Sequence, residues 1–263
     1  MAPVSIREEL VAQCHNMTHS GANRTIARLR LSWYWPGMTR DGINTVAQCS
    51  ICQKAKDNGH PTSGGRRRLH AGRPWQVVAV DLVGPMPTSG RGNNSIVVLT
   101  DHFTRRSDAL AIGKATAEEV ARALEERVFC YMGLPEQIHT DQGAQFESRL
   151  FTELCHLWGV KKTHSSPYHP QSNGVVERNN RTLGNSLRAL LLDTPQEEWD
   201  EVLPHIMRVH RATPSGSTGE TANLMMYGHE LRLPDHLAYA TPPTIQCSTD
   251  YVRTKIETLS NVH

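Results

Sequence analysis

The most apolar stretch of the chain, WQVVAVDLV at residues 75–83, carries a single charge, Asp81. A run this short and this apolar reads as a buried strand, and Gly84-Pro85 ends it. A carboxylate inside such a strand is costly unless a donor, a cation or a metal meets it. Whatever fold the chain adopts must therefore bring a partner to Asp81. Two other carboxylates stand where they could converge on the same place. Asp141 follows a short β-branched and apolar run and precedes Gln142-Gly143, the position of a strand giving way to a turn. Glu177 lies just inside a helical pattern that opens after Pro167 and Pro170, with Ser172 as candidate N-cap. The 35 residues between Asp141 and Glu177 leave room for a helix, a strand and a loop. Three convergent carboxylates could hold divalent metal ions for phosphoryl transfer.

The surrounding pattern predicts an α/β layered domain with a mixed sheet. Strands are expected at Ser95–Thr100 and Ser107–Ile112, the first joined to the Asp81 strand by the polar PMPTSGRGNN, long for a hairpin connection. A helix follows over Ala117–Cys130, then the strand ending at Asp141, a helix over Ser148–Trp158, a strand at Val160–Thr163 and a helix over Glu197–Arg211. From Thr213 onward turn residues dominate, and residues 240–263 show only a weak amphipathic segment. On the helix bearing Glu177, Val176, Leu183, Leu187, Leu190 and Leu191 form an apolar stripe. Glu177, Arg181, Gly184 and Arg188 share the neighbouring polar face, where Gly184 would let a backbone approach closely. Glu177 can be read either as a surface partner of Arg181, worth a few tenths of a kcal/mol, or as a metal ligand.

The first 55 residues have a different character. Residues 5–14 read as a helix with Ser5 as candidate cap. They lead into His15 and His19, an H-x3-H pair, and a second helical pattern through Thr25, Ile26 and Leu29. Cys49 and Cys52 form a C-x2-C pair. Imidazole and thiolate are the ligands that tetrahedral zinc prefers, and each spacing suits two ligands on one turn. A zinc ion here would clamp helices too short to bury a core alone. Either pair by itself is as easily a stray His pair or two buried thiols; both together favour zinc. Cys14 has no partner at ligand spacing, and Trp33-Tyr34-Trp35-Pro36 is expected to be small-domain core. From Lys54 to Arg73 the apolar period disappears, which predicts a linker; Arg66-Arg67-Arg68 there could touch phosphate or simply be solvated.

Composition narrows the rest. With 28 Lys+Arg against 26 Asp+Glu, any nucleic-acid contact must come from local basic patches. The six cysteines lack disulfide-framework spacing, no signal peptide is recognisable and no apolar run reaches membrane-spanning length. A protein of a reducing compartment, without membrane contact, is expected.

The order His15/His19, Cys49/Cys52, Asp81, Asp141 and then Glu177 resembles retroviral and LTR-retrotransposon integrases. The stretches TDHFTR, GLPEQIHTDQGAQF, PYHPQSNGVVERNNR and TGETAN…ELRLP are similar to the Gypsy-type branch in particular. The resemblance runs from about Glu9 to Pro234. It implies a helical HHCC zinc-binding domain at 1–56, a linker at 57–73, a ribonuclease-H-like catalytic core at 74–232 and a shortened tail at 233–263, where the family pattern continues into a small β-rich domain. It implies Asp81, Asp141 and Glu177 as catalytic ligands of Mg²⁺ or Mn²⁺, and His15, His19, Cys49 and Cys52 as ligands of Zn²⁺. It also implies that Tyr168, Gln171 and Asn173 lie on a loop engaging DNA ends and that Arg181 contacts DNA. Arg178 and the Lys161-Lys162 pair are further candidates for phosphate contacts, the lysines equally readable as solvated surface. Asp101 in TDHFTR also follows an apolar strand, but its family counterpart is not a metal ligand. The implied activity is 3′-end processing and strand transfer of retroelement DNA into target DNA, by a nuclear homo-oligomer with cytoplasmic assembly. An integrase-derived DNA-binding protein without catalysis is the alternative, and a ribonuclease-H-like nuclease acting on branched nucleic acid is disfavoured by the HHCC module.

Overall fold

The computed structural model describes residues 1–55, 71–164, 174–192, 195–234 and 249–260; the side chains of 174–178 and 258–260 lie outside that description. The chain divides into two compact units, one of Asn58–Leu183 with Thr194–Pro204 and one of Met1–Asp57, Gly184–Asp193 and His205–His263. Most of the predicted linker, with Arg66-Arg67-Arg68, lies outside the described residues.

The first of these units is built on a mixed five-stranded sheet. Its strands are β1 (Val77–Val83), β2 (Ser95–Asp101), β3 (Ser107–Ile112), β4 (Gln137–Thr140) and β5 (Lys161–His164). They are ordered β3-β2-β1-β4-β5. The β1–β2 and β2–β3 pairs are antiparallel, whereas β1–β4 and β4–β5 are parallel. The parallel pairs need crossover helices: α5 (Ala117–Leu124) precedes β4, and α6 (Ala144–Glu147) and α7 (Arg149–Leu157) precede β5. Thr116 caps α5 and Ser148 caps α7, each side chain accepting a backbone N–H of the first turn.

Strand alternation splits the sheet chemically. Val78, Val80, Val97, Leu99, Leu110, Ile112 and Ile138 line one face and are buried against Val120 and Leu124 of α5, Phe146 of α6 and Phe151 of α7. The register Ala79↔Thr100, Asp81↔Val98 and Ala79↔His139 gives the other face smaller and more polar residues. The continuous helix expected over Ala117–Cys130 is instead α5, a π-helical turn over Glu125–Phe129 and a last turn over Cys130–Met132. Val128 and Phe129 of the wider turn are both buried in the core beside the sheet. The long β1–β2 connection is ordered by α9 (Trp199–Arg211). Asp200 accepts hydrogen bonds from Ser89 Oγ and Asn93 Nδ2, both at 2.7 Å. Trp199 Nε1 donates to the Pro87 carbonyl at 2.7 Å. Burial alone would raise the Asp200 pKa, but those donors and Arg91 hold it below the usual carboxylate range.

In the second unit α1 (Arg7–Asn16), α2 (Ala22–Leu29) and α3 (Met38–Gln48) pack around Leu10, Val11, Cys14, Leu29, Trp35 and Met38, and α4 (Ser50–Ala55) follows without a buried residue. Ser5 does not cap α1: it lies in a 3₁₀ turn, Val4–Ile6, and no side chain caps the helix. Trp35 is core, donating to Asp41 at 2.8 Å, but Tyr34 is 64% exposed, so the aromatic run divides between interior and surface. Tyr34 borders a groove with Arg30, Arg40 and Ile43. The same unit holds α10 (Ala222–Tyr227), which the turn-rich composition hid. It has a Thr221 cap and a buried Leu224. The weak amphipathic pattern near the end is α11 (Asp250–Ser260), whose Lys255 donates to the Met225 carbonyl at 3.4 Å and to that of Met226. No helix among the described residues is long and apolar enough to cross a membrane.

Candidate metal centres

His15 lies in the last turn of α1, His19 closes the turn that follows, and Cys49 and Cys52 flank the start of α4. Their four donor atoms lie within 4.8 Å of one another. Cys52 Sγ is 3.3 Å from His15 Nε2 and 3.8 Å from His19 Nδ1, and Cys49 Sγ is 3.5 Å from His19 Nδ1. Zn–S and Zn–N bonds of ordinary length at tetrahedral angles put sulfur and nitrogen roughly 3.5 Å apart, so the spacing fits the ion. His15 Nδ1 is 3.0 Å from the Ser20 carbonyl, which can only accept. That places the proton on Nδ1 and leaves Nε2 free to ligate, the usual orienting bond behind a metal-bound histidine. Burial, then the neighbouring His19, lowers the His15 pKa and favours the neutral, ligating imidazole. His19 adopts φ 47°, a left-handed backbone uncommon without glycine. Among the described residues this is the only group of three or more side chains arranged to hold a metal.

The carboxylates are brought together by strand register. The parallel β1–β4 ladder runs Ala79↔His139 and Val80↔Thr140, so the next step along both chains is Asp81 and Asp141. Asp81 is half-buried rather than enclosed, because the last three residues of β1 are partly open to solvent. Its Oδ1 accepts from the Leu82 N–H at 2.9 Å and its Oδ2 from Asn180 Nδ2 at 2.6 Å. Asp141 Oδ1 accepts from the Gly143 N–H at 2.9 Å. A Cβ on Gly143 would stand 3.0 Å from that oxygen and 2.4 Å from Gln145 Nε2, so glycine keeps this turn open.

Asn180 belongs to α8 (Gly174–Leu190). Its neighbour Asn179 donates to Ser107 Oγ at 2.8 Å, so two adjacent amides fix the helix to the polar sheet face. Glu177 stands one helical turn before Asn180, the spacing at which residues share a face. The side chains of Glu177 and Arg178 lie outside the described atoms, as do residues Tyr168, Gln171 and Asn173 and the Ser172 cap. Arg181 is exposed. Leu183 and Leu187 are buried as their stripe predicts. At Gly184 a Cβ would meet, among the described residues, only Arg188 Nη2, at 3.9 Å, so no backbone of those residues approaches the glycine closely. Lys162 is turned inward to Glu147 at 3.1 Å, while Lys161 is exposed.

Asp101 has a different environment. It pairs with Val78, three residues back along β1 and on the opposite face from Asp81. Fully buried, it accepts from Trp75 N at 3.1 Å, Thr104 N at 2.9 Å and Thr104 Oγ1 at 2.6 Å. Burial pushes its carboxyl up, and those bonds pull it back. It is a structural acid that orders the β2–β3 turn. The Asn179-Asn180 pair was the missed signal, two amides within one turn of the helical acid.

Residues 2–58 match the integrase zinc binding domain and residues 71–170 the integrase core domain. The Pro-Pol polyprotein of simian foamy virus type 3 (strain LK3) is 27% identical over 248 residues, 94% of this chain and 21% of the polyprotein. Gypsy retrotransposon integrase-like protein 1 of Bos taurus is 29% identical over 235 residues, 87% of this chain and 46% of that protein. The chain thus spans about a fifth of the polyprotein and under half of the Gypsy relative. Among solved structures, the simian T-cell lymphotropic virus intasome in complex with PP2A regulatory subunit B56 gamma is similar in fold. Its TM-score is 0.61 at 21% identity, covering 91% of this chain and 78% of that one. The chain therefore carries an integrase zinc binding domain followed by an integrase core domain on a mixed sheet, and Gypsy retrotransposon integrase-like proteins and Pol polyproteins are its homologues over most of its length.

Proposed function

We propose that this chain is a metal-dependent polynucleotidyl transferase that trims the 3′ ends of retroelement DNA and joins them to target DNA. The observation that carries the reading is the β1–β4 register, which sets Asp81 and Asp141 side by side, with α8 tied to Asp81 through Asn180 one turn from Glu177. In this reading Asp81, Asp141 and Glu177 hold Mg²⁺ or Mn²⁺. The bound metal would supply activation of a water or a DNA 3′-hydroxyl and charge neutralisation at the leaving oxygen of an in-line displacement. The protein's own part is orientation. The bonds from Leu82, Asn180 and Gly143 fix how the Asp81 and Asp141 carboxylates are turned.

Arg181, exposed one turn beyond Glu177, is assigned to DNA phosphate, together with Arg178 and the loop residues Tyr168, Gln171 and Asn173. His15, His19, Cys49 and Cys52 are assigned to a structural Zn²⁺. The family likeness supports DNA and further copies of the chain as partners, and the nucleus is proposed as the place of action. The deciding experiment is strand transfer of a labelled duplex end by purified protein in Mg²⁺ or Mn²⁺, beside Asp141→Asn and Glu177→Gln. Joined product from the wild type alone is expected. If the wild type is as inert as both variants yet binds DNA equally well, the transferase reading fails and a binding-only protein of integrase ancestry takes its place.

A further inference from the structure

Resting on the zinc reading above, we infer that His205 of α9, 188 residues from Met17 in sequence, is a positioning residue of the zinc site. His205 Nε2 is 2.8 Å from the Met17 carbonyl oxygen, and its Nδ1 is 3.0 Å from Arg208 Nη2. A guanidinium can only donate and a carbonyl can only accept, so both neighbours demand the same tautomer. Arg208 donates to Nδ1, and the Nε2 proton goes to Met17. The ring is therefore oriented from one side and spends its single proton on the other.

Met17 is the middle residue of the His15–His19 pair and the C-cap of α1, where carbonyls lack intrahelical partners. His205 satisfies one of them. Met17 is gripped a second time, its sulfur meeting the buried Arg28 guanidinium. Two residues on, His19 is in the left-handed conformation, which persists only where its surroundings hold it. The turn that sets both imidazoles is thus held from α9, outside the ligand-bearing helices. All of these residues belong to the same compact unit. Partners that orient metal ligands typically change metal affinity by roughly 10–100-fold.

The test uses the intact zinc-loaded chain as wild type, His205→Ala, His205→Gln and Arg208→Met. It reads the rate of zinc loss to a chromogenic chelator and the ligand-field spectrum after Co²⁺ substitution. His205→Ala should release zinc about 10–100-fold faster with a shifted Co²⁺ spectrum. His205→Gln, whose amide N–H can reach the same carbonyl, should recover most of the retention. Arg208→Met should release zinc faster than wild type but more slowly than His205→Ala. Wild-type release from His205→Ala overturns the inference, and so does His205→Gln behaving like His205→Ala, which would mark a mere packing loss. If His205→Ala does not fold, the Gln and Met variants decide by the same criteria. A wild-type chain that takes up neither zinc nor Co²⁺ overturns the zinc assignment itself, and this inference with it.

Discussion

In the N-terminal helices four donors meet through two local motifs, H-x3-H and C-x2-C, each set by a single turn of backbone. In the core, Asp81 and Asp141 stand 60 residues apart in sequence and meet only because β1 and β4 pair in one register. In the zinc reading the first cluster would use the metal to hold together helices whose shared apolar core is small. The second sits on a sheet already stabilised on its far face by Val78, Val80, Leu99, Ile138, Leu124 and Phe151. In that reading one site makes its scaffold, and the other is carried by a scaffold that exists without it.

That contrast gives the largest expected effect. Chelation, or Cys52→Ala, should unfold Met1–Ala55, because structural zinc supplies on the order of 10 kcal/mol of folding free energy. Hydrogen exchange should show protection lost in α1–α4 and kept in β1–β5; protection kept in both would remove the distinction. Asp141→Asn should do the reverse. We expect strand transfer to fall roughly a thousandfold, on the order of 4 kcal/mol at the transition state, with melting little changed. A variant that melts early instead would make Asp141 a folding residue.

A third prediction concerns acid. His102 is buried, with Nε2 unpartnered among the described residues. Burial foremost, then Arg105 and His139, lowers its pKa to about 4 from 6.5. The unfolded chain therefore binds the proton first. The neutral-histidine contribution is present above pH 6.5 and is lost as pH falls toward 4, on the order of 3 kcal/mol. Urea titrations of the core across that range should show the slope, and His102→Gln should flatten it; an unchanged slope would assign the loss to other groups. The smallest effect is reserved for Asn180→Ala. It should lower strand transfer and divalent-metal affinity about 10–100-fold while costing stability only about 1 kcal/mol. Wild-type activity in that variant would detach α8 from the site.

The zinc donors, most strand positions and the residue types of the carboxylate site were legible in the chain because they follow local rules. Periods of 2 and 3.6 residues, turn residues after strands and ligand pairs on one turn are all written within a dozen positions. The misses share a cause. The π turn after α5 carries Val128 and Phe129 into the core beside the sheet, and α10 is hidden by turn-rich composition until Leu224 packs.

The sequence by itself determined which groups are available: four donors suited to zinc, a charge inside an apolar strand, and further acids at a strand end and a helix start. Tertiary structure alone decided which of them meet. Asp81 and Asp101 each follow or interrupt an apolar run, yet pairing puts them on opposite faces of the sheet. One lies beside Asp141, and the other is spent on Trp75 and Thr104. Asn180 reaches Asp81 across 99 residues, and His205 reaches Met17 across 188. Backbone periodicity is a property of neighbours in the chain. Register and side-chain pairing between distant segments are fixed by packing, and no local pattern encodes them.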